Sequence, residues 1–179
     1  GMGVQGEKRK KYLGKDFILS VDKFKKADYK SILDVPLRAY DTAFLCVPEN
    51  EKIKLIKYCI ENKKHILVEK PLLVKSSKFL VDLGKQAKKN KVIFYTAYNH
   101  RFETSVLKLK SLIEKKVLGK IYKCKIFYGN GTSYLVKKSK WRDKGLGVVT
   151  DIGPHLIDLC LFWFGNKIKK LKVVEINKF

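Results

Sequence analysis

The sequence predicts an α/β fold: a doubly wound parallel sheet that lacks its first strand, followed by an incomplete α+β domain. Short apolar runs alternate with amphipathic helical segments, as in strand–helix–strand units. The chain begins with a glycine-rich turn of the kind that joins a strand to a helix. After residue 98 the pattern changes, so we expect domains at 1–98 and 99–179.

The first six residues, GMGVQG, follow the pattern G-x-G-x-x-G, with glycines at Gly1, Gly3 and Gly6. Such glycines permit a tight turn, close approach of a pyrophosphate and close helix packing. A helix is predicted at Glu7–Leu13 and a strand at Phe17–Val21, and Asp22 lies close to the ~20 residues downstream where a carboxylate accepts from a ribose hydroxyl. A glycine-rich tail, the alternative, does not explain this order. The pattern predicts a dinucleotide-binding (Rossmann) domain, although no strand precedes Gly1.

Proline residues and hydrophobic periodicity delimit the next elements. We predict a short helix at Tyr29–Leu33, strands at Ala43–Val47, His65–Glu69 and Val92–Tyr95, and helices at Glu49–Glu61 and Ser77–Lys89. The unbroken apolar run at Ala43–Val47 is typical of a parallel strand buried on both faces.

The second domain is predicted to mix helices and one-face strands. We expect a helix at Thr104–Lys116, a strand at Ile121–Tyr128, an apolar helix that Asp151 caps and Gly165 ends, and a last strand at Lys170–Ile176.

A carboxylate, an ammonium and a proline directly follow the apolar residues of the strand at 65–69, as Glu69, Lys70 and Pro71. Proline cannot donate to a sheet ladder, so the strand ends here. Ligands of open α/β sheets bind at the carboxyl ends of strands. Lys70 is therefore a candidate to hydrogen-bond a substrate oxygen and favour its alkoxide character.

Asp151 and His155 are spaced i, i+4, with Pro154 in the first turn of the predicted helix. A histidine can take a proton from a hydroxyl near neutral pH while a carboxylate orients the ring. On these two residues alone, the plainer interpretation is favoured: Asp151 is an N-cap and His155 a core residue.

The formal net charge is +23, but all but four of the 40 basic residues are lysines, and they are scattered over presumed helix faces. Specific readers of nucleic acid favour arginine. We therefore interpret the charge as a solvated surface and expect no specific nucleic acid partner.

The four cysteines have neither metal-ligand nor redox-motif spacing, so we predict buried free thiols in a reducing cytoplasm and no metal site. The longest apolar run, Leu159 to Phe164, is too short to span a bilayer, and no signal peptide leads the chain. We expect a cytoplasmic protein without a membrane partner.

Taken in order, the stretches GMGVQG, FLCVP, HILVEKP, TAYNHRFE, FYGNGT, WRD and GVVTDIGPHLIDL resemble the glucose–fructose oxidoreductase/inositol dehydrogenase/rhizopine-catabolism (Gfo/Idh/MocA) family. In particular, the chain looks like members that act on nucleotide-linked sugars in surface-polysaccharide synthesis. The resemblance implies hydride transfer between NAD, or NADP, and a secondary hydroxyl of a sugar, polyol or nucleotide-linked sugar. It also implies a homo-oligomer when the protein is full length.

The resemblance assigns roles to matching positions. The catalytic residues would be Lys70, His155 as general acid/base and Asp151 beside it, with Lys70 and His155 acting on one substrate oxygen. The cofactor would contact Gly1, Gly3, Gly6, Asp22, Val47, Pro48, Glu69, Asn99, Trp141 and Arg142, and the substrate Arg101 and Tyr128. His65 is interpreted as structural, and His100 as structural or pocket-lining. Asp22 favours NAD, while Lys23 and Lys25 leave NADP open.

The sequence departs from the family pattern in three respects. Lys52 stands where many members have a histidine in T-P-x-x-x-H, the opening strand is absent, and relatives continue past residue 179. We therefore expect a fragment with an unpaired sheet edge and an exposed apolar face. A catalytically inactive cofactor- or sugar-binding fragment is the alternative function, and a nucleic-acid binder is a third.

Overall fold

The computed structural model describes residues 1–74, 76–129, 148–165 and residue 172. The chain divides into two compact units, Gly1–Ala97 and Tyr98–Phe179. The helices and strands of the first unit are α1 (Val4–Leu13), β1 (Thr42–Leu45), α2 (Glu49–Glu61), β2 (His65–Val68), α3 (Ser77–Lys89) and β3 (Phe94–Thr96). Short 3₁₀ turns lie at Gly14–Asp16, Ile32–Asp34 and Leu37–Ala39.

The three strands form a parallel sheet in the order β1-β2-β3, which confirms the predicted class of sheet. Alternate residues of β1 and β2 point to one face, where they join residues of α2 and α3 in a core made of Ala43, Leu45, Ile66, Val68, Ile56, Cys59, Ile60, Leu83 and Ala87. The prediction that β1 is buried on both faces is wrong, since Phe44 on the other face is only half-buried. Described helices cover one face of this part of the sheet.

The bounds of α2 and α3 agree with the prediction, because local signals set them. Pro48 precedes α2, and Ser76 caps α3 with its hydroxyl oxygen, which accepts from the Phe79 N–H at 3.3 Å. Each helix buries the apolar stripe that its periodicity predicts, with Ile56 and Leu83 almost fully buried.

Two predicted elements between α1 and β1 are wrong. Residues 17–21 contain no strand, because no described strand lies beside them to accept ladder hydrogen bonds; Val21 makes one isolated parallel bridge with Tyr29. The predicted helix at Tyr29–Leu33 is only the 3₁₀ turn Ile32–Asp34, since the backbone of Ser31 is extended and the Tyr29 carbonyl accepts from the Asp22 N–H instead of from a helical N–H.

The second unit contains a 3₁₀ turn at Asn99–Phe102 and three described helices: α4 (Thr104–Glu114), α5 (Val148–Asp151) and α6 (Gly153–Phe164). The Trp163 indole donates to the Val106 carbonyl at 3.2 Å and joins α6 to α4. Two predictions are wrong here. Residues 121–128 form no strand with any described neighbour. Asp151 ends α5 instead of capping α6, whose N-cap is Ile152, because the chain turns once between the two helices.

The described cysteines are free thiols, but only Cys59 is buried, whereas Cys124 is exposed, so the prediction of uniform burial is wrong. The predicted strand at Lys170–Ile176 falls, apart from Lys172, outside the described residues. Within the described ranges, the helices are too short or too polar to cross a bilayer.

Candidate active site

In the glycine-rich turn, the first and last glycines have no room for a side chain, whereas the middle glycine has free space beside it. A Cβ on Gly1 would lie closer than 3.0 Å to the Cys46 carbonyl oxygen, and one on Gly6 would lie equally close to the Gly1 carbonyl. At Gly3, the N-cap of α1, no heavy atom of the described residues lies within 4 Å of the Cβ position. The N–H groups of a first helical turn lack intrahelical partners. The open position therefore fits a dinucleotide phosphate.

Asp22 connects the end of the segment at 17–21 to this turn. One carboxylate oxygen accepts from the Met2 N–H at 2.6 Å, and the other accepts from the N–H groups of Phe24 and Lys25 at 2.9 and 2.8 Å. These bonds, first that of Lys25 and then that of Met2, lower the pKa of Asp22 to about 2. Asp22 is thus ionised beside the turn, where a carboxylate can accept from a ribose hydroxyl.

The residues that follow β1 and β2 lie at one edge of the sheet, because neighbouring parallel strands end on the same side. Val47 and Pro48 follow β1, and Glu69 and Lys70 follow β2, where the Lys70–Pro71 peptide is cis. The glycine turn packs on this edge, because the Cβ position of Gly1 lies closer than 3.0 Å to the Cys46 carbonyl oxygen.

At this edge, Glu69 forms an ion pair and Cys46 has a raised pKa. Arg9 of α1 donates to Glu69 Oε1 through its Nε at 2.8 Å and its Nη2 at 2.6 Å. The Glu69 carboxylate therefore has a protein partner that the sequence did not suggest. Its predicted contact with a cofactor stays a prediction. Burial, and secondarily the charge of Glu69, raise the pKa of Cys46 to about 11, so this thiol is protonated at neutral pH and is a poor nucleophile.

Lys52 of α2 lies behind this edge with only 3% of its surface exposed. Its ammonium donates to Glu49 Oε2 at 2.7 Å and to the Pro71 carbonyl oxygen. Glu49 Oε1 in turn accepts from the Leu73 N–H at 2.6 Å. Sequence reasoning noted Lys52 only as a departure from a family pattern, because the contact spans 19 residues of chain.

In the second unit, His155 lies in the first turn of α6 and is 8% exposed. Its ring centroid is 4.5 Å from that of His100, at an interplanar angle of 75°, and 6.1 Å from that of Tyr98. His100 contacts the Glu103 carboxylate through Nδ1, and its Nε2 lies 3.5 Å from the Tyr128 hydroxyl. The structure therefore places His155 in an aromatic cluster, where His100 stands between it and Tyr128.

Arg101 of the 3₁₀ turn is paired with Asp158 of α6 through two hydrogen bonds, Nε to Oδ2 at 2.7 Å and Nη2 to Oδ1 at 2.5 Å. Asp158 is 6% exposed. Burial, followed by the charge of Asp158, raises the pKa of the neighbouring Tyr98. Sequence reasoning missed Asp158; its signal was a charged residue three positions after His155 in an otherwise apolar helix.

The remaining predicted residues have plainer positions. Asn99 is exposed on the 3₁₀ turn, and Asp151 is half-buried at the end of α5. His65 accepts from the Ile93 N–H at 3.0 Å through Nδ1, within the sheet. Trp141 and Arg142 lie outside the described residues. No group of three or more potential metal ligands occurs among the side chains that the structure describes.

Comparison with known proteins gives two family matches. Residues 6–98 match the GFO/IDH/MocA oxidoreductase family, NAD-binding Rossmann fold, and residues 106–177 match the GFO/IDH/MocA C-terminal domain. Myo-inositol 2-dehydrogenase of Thermotoga maritima is 32% identical over 160 residues, which cover 86% of this chain and 44% of that protein. Glucose-6-phosphate 3-dehydrogenase of Bacillus subtilis is 32% identical over 106 residues, 56% of this chain and 30% of that protein.

A solved structure shows the same fold. The inositol dehydrogenase homolog of Azotobacter vinelandii, complexed with NADH and myo-inositol, superposes with a TM-score of 0.57 at 20% identity, over 72% of this chain and 34% of that chain. The first three curated relatives are matched over 33%, 36% and 44% of their lengths, so this chain spans a third to less than half of each.

Proposed function

The chain belongs to the GFO/IDH/MocA oxidoreductase family, and we propose that it serves an NAD(P)-dependent oxidation or reduction at a secondary hydroxyl of a sugar or polyol. The observation that carries the proposal is the open position at Gly3, at the start of α1 and at the edge of the sheet where Lys70 follows β2. Phosphate binding and a nearby ammonium are what a dinucleotide-dependent dehydrogenase requires of such an edge.

The first unit would bind and orient the dinucleotide. The N–H groups at the start of α1 would donate to its phosphates, with the missing side chain of Gly3 giving access. Asp22 would accept from the adenosine ribose, and its ionised carboxylate would repel a 2′-phosphate, which favours NAD over NADP. Val47 and Pro48 follow β1 at the same edge and would border the cofactor. The bound nicotinamide supplies the hydride chemistry.

Individual roles are proposed for the side chains that would act on the substrate. Lys70 would donate a hydrogen bond to the substrate oxygen and stabilise its negative charge. His155 would take the hydroxyl proton, or return it in the reverse direction, and Asp151 would be its neighbour. Arg101, fixed by Asp158, and Tyr128 would contact the sugar hydroxyls. Asn99, Trp141 and Arg142 are proposed to border the nicotinamide.

The test measures binding and turnover separately on the intact protein. NAD and NADP are titrated calorimetrically, and NADH formation is then followed with myo-inositol, glucose 6-phosphate and a nucleotide-linked sugar. We expect NAD binding and turnover of at least one compound. Lys70→Ala and His155→Asn should each lower kcat about 100-fold or more while NAD affinity is retained.

Three outcomes decide between the candidate functions. If the wild-type protein bound neither NAD nor NADP, the proposal would be overturned. Binding without turnover of any sugar or polyol would assign a binding role instead of an enzymatic one. Turnover that both variants retain would refute the roles of Lys70 and His155.

A further inference from the structure

We infer that Lys52 and Glu49 of α2 form a clamp on the segment after β2, and that Lys52 thereby acts as a positioning residue for Lys70. The inference rests on the proposed function for its catalytic consequence, but its structural part stands on contacts within the first unit. The clamp consists of two linked bonds, from Lys52 to the Pro71 carbonyl and from the Leu73 N–H to Glu49.

The burial of Lys52 requires an explanation. Burial of a lysine side chain that is only 3% exposed is costly unless oxygen atoms surround its ammonium, and here Glu49 and Pro71 provide them. The same lysine also lies close to the N-terminus of α2, where the helix dipole disfavours a positive charge. The pair with Glu49 within the helix does not require the lysine to be buried, whereas a bond to the backbone that adjoins Lys70 does.

The clamp acts on one side of Lys70, and a second set of contacts acts on the other. The Glu69 N–H donates to the Leu45 carbonyl at 3.1 Å, and the Glu69 side chain is held by Arg9 of α1. The residues before and after Lys70 are thus anchored to different helices. Removal of the bond at Pro71 should therefore loosen the backbone that directly follows Lys70, where the bond from Leu73 to Glu49 remains.

Loosening the clamp would affect a reaction at Lys70 through the position of its ammonium. A hydrogen-bond donor stabilises developing charge only when it is held close to the reacting oxygen, and a displacement of about 1 Å can lower a rate about 100-fold. The cofactor site at Gly3 and Asp22 does not involve the clamp residues. A loosened clamp should therefore lower kcat and leave the KM for NAD nearly unchanged.

The experiment compares Lys52→Met and Glu49→Gln with Lys54→Met, which removes an exposed lysine from the same helix. Three quantities are measured on the intact protein: kcat and KM, hydrogen exchange over residues 70–74, and the rate at which an acylating reagent modifies the Lys70 amine, by mass spectrometry. We expect Lys52→Met to lower kcat about 10-fold or more, with the KM for NAD within about 2-fold of wild type. Exchange at Leu73 and acylation of Lys70 should become faster, and Lys54→Met should resemble the wild type.

Exchange and acylation need no substrate, so failure of the clamp is distinguishable from failure of the proposed function. If the wild type turns over no sugar, the enzymatic proposal fails, and the clamp is upheld or overturned by those two measurements. If Lys52→Met does not fold, Glu49→Gln, which keeps the side-chain shape, decides by the same measurements. Wild-type kcat, exchange and acylation in the folded variants would overturn the clamp, and so would a change in thermal stability alone.

Discussion

The glycine turn allows a prediction in which two neighbouring glycines respond in opposite ways to the same substitution. Gly3→Ala places a methyl group where no described heavy atom lies within 4 Å, at a φ of −75° that alanine adopts readily. Gly6→Ala places the same group closer than 3.0 Å to the Gly1 carbonyl oxygen, a separation that real Cβ atoms essentially never show. The first change should therefore affect the ligand and the second should affect the fold.

The expected magnitudes follow from these surroundings. The collision at Gly6 involves backbone that cannot rotate away, so Gly6→Ala should cost about 2–3 kcal/mol of unfolding free energy, as overpacking does. For Gly3→Ala, the lost helix cap and the lower entropy of the unfolded chain act in opposite directions, and we expect a net change within about 0.5 kcal/mol. Its methyl group would stand where the phosphate approaches, and NAD affinity should fall at least about 10-fold, or ~1.4 kcal/mol.

Urea unfolding and calorimetric titration with NAD measure the two effects on the same samples. Gly84→Ala serves as the control, since this glycine of α3 also has no described atom within 4 Å of its Cβ position and lies in a helix away from the edge. It should leave NAD affinity unchanged and should not lower stability, because alanine is the better helix former. Normal NAD affinity in Gly3→Ala would refute the placement of the phosphate, and normal stability in Gly6→Ala would refute the packing of the turn.

Two further predictions concern charged side chains. Asp158→Asn should lower the unfolding free energy, measured in urea, by about 2 kcal/mol, because it weakens two charge-assisted bonds to the partly exposed Arg101. The control is Glu114→Gln, whose exposed carboxylate pairs with Lys110. It should change the unfolding free energy by less than about 0.5 kcal/mol. Asp22 has a folded-state pKa of about 2 against an ordinary 3.8, so its ionised form stabilises the native state above about pH 4 and this contribution is lost as the pH falls towards 2. The stability difference between wild type and Asp22→Asn should shrink over that range.

Each of these predictions has a contradicting result. Equal, small effects of Asp158→Asn and Glu114→Gln would show that burial of Asp158 adds nothing to its pair. A difference between wild type and Asp22→Asn that stays constant from pH 5 to 2, measured by denaturant unfolding at each pH, would show that the amide bonds do not hold the carboxylate ionised.

The sequence predicted helices well where the determining signals are local. The bounds of α2 and α3 follow from an apolar stripe and from flanking Pro48 and Ser76, all within one or two turns. The two wrong strands, at residues 17–21 and 121–128, have the right alternation, but a strand exists only when a neighbour accepts its hydrogen bonds. Alternation cannot reveal whether that neighbour is present.

In the candidate site, too, local patterns were visible in the sequence and long-range contacts were not. The glycine turn and Asp22 could be proposed from the sequence because their spacing is itself the signal. The partners of Glu69 and Arg101 were not found, since Arg9 is 60 residues from the first and Asp158 is 57 residues from the second. Bonds across such separations depend on the packing of helices on strand ends, which no local pattern encodes.

Several of the long-range bonds at the sheet edge are made by acidic residues. The chain has 17 acids against 40 bases, so most lysines have no acid available to pair with. Yet three acids near this edge accept hydrogen bonds across long stretches of chain: Asp22 from Met2, Glu49 from Leu73 and Glu69 from Arg9. A carboxylate that is engaged in such bonds loses little further entropy when a ligand binds, and it also keeps the backbone around Gly3 and Lys70 in place. Preorganisation of this edge by scarce acids, and not the overall positive charge, is what an enzymatic role would require.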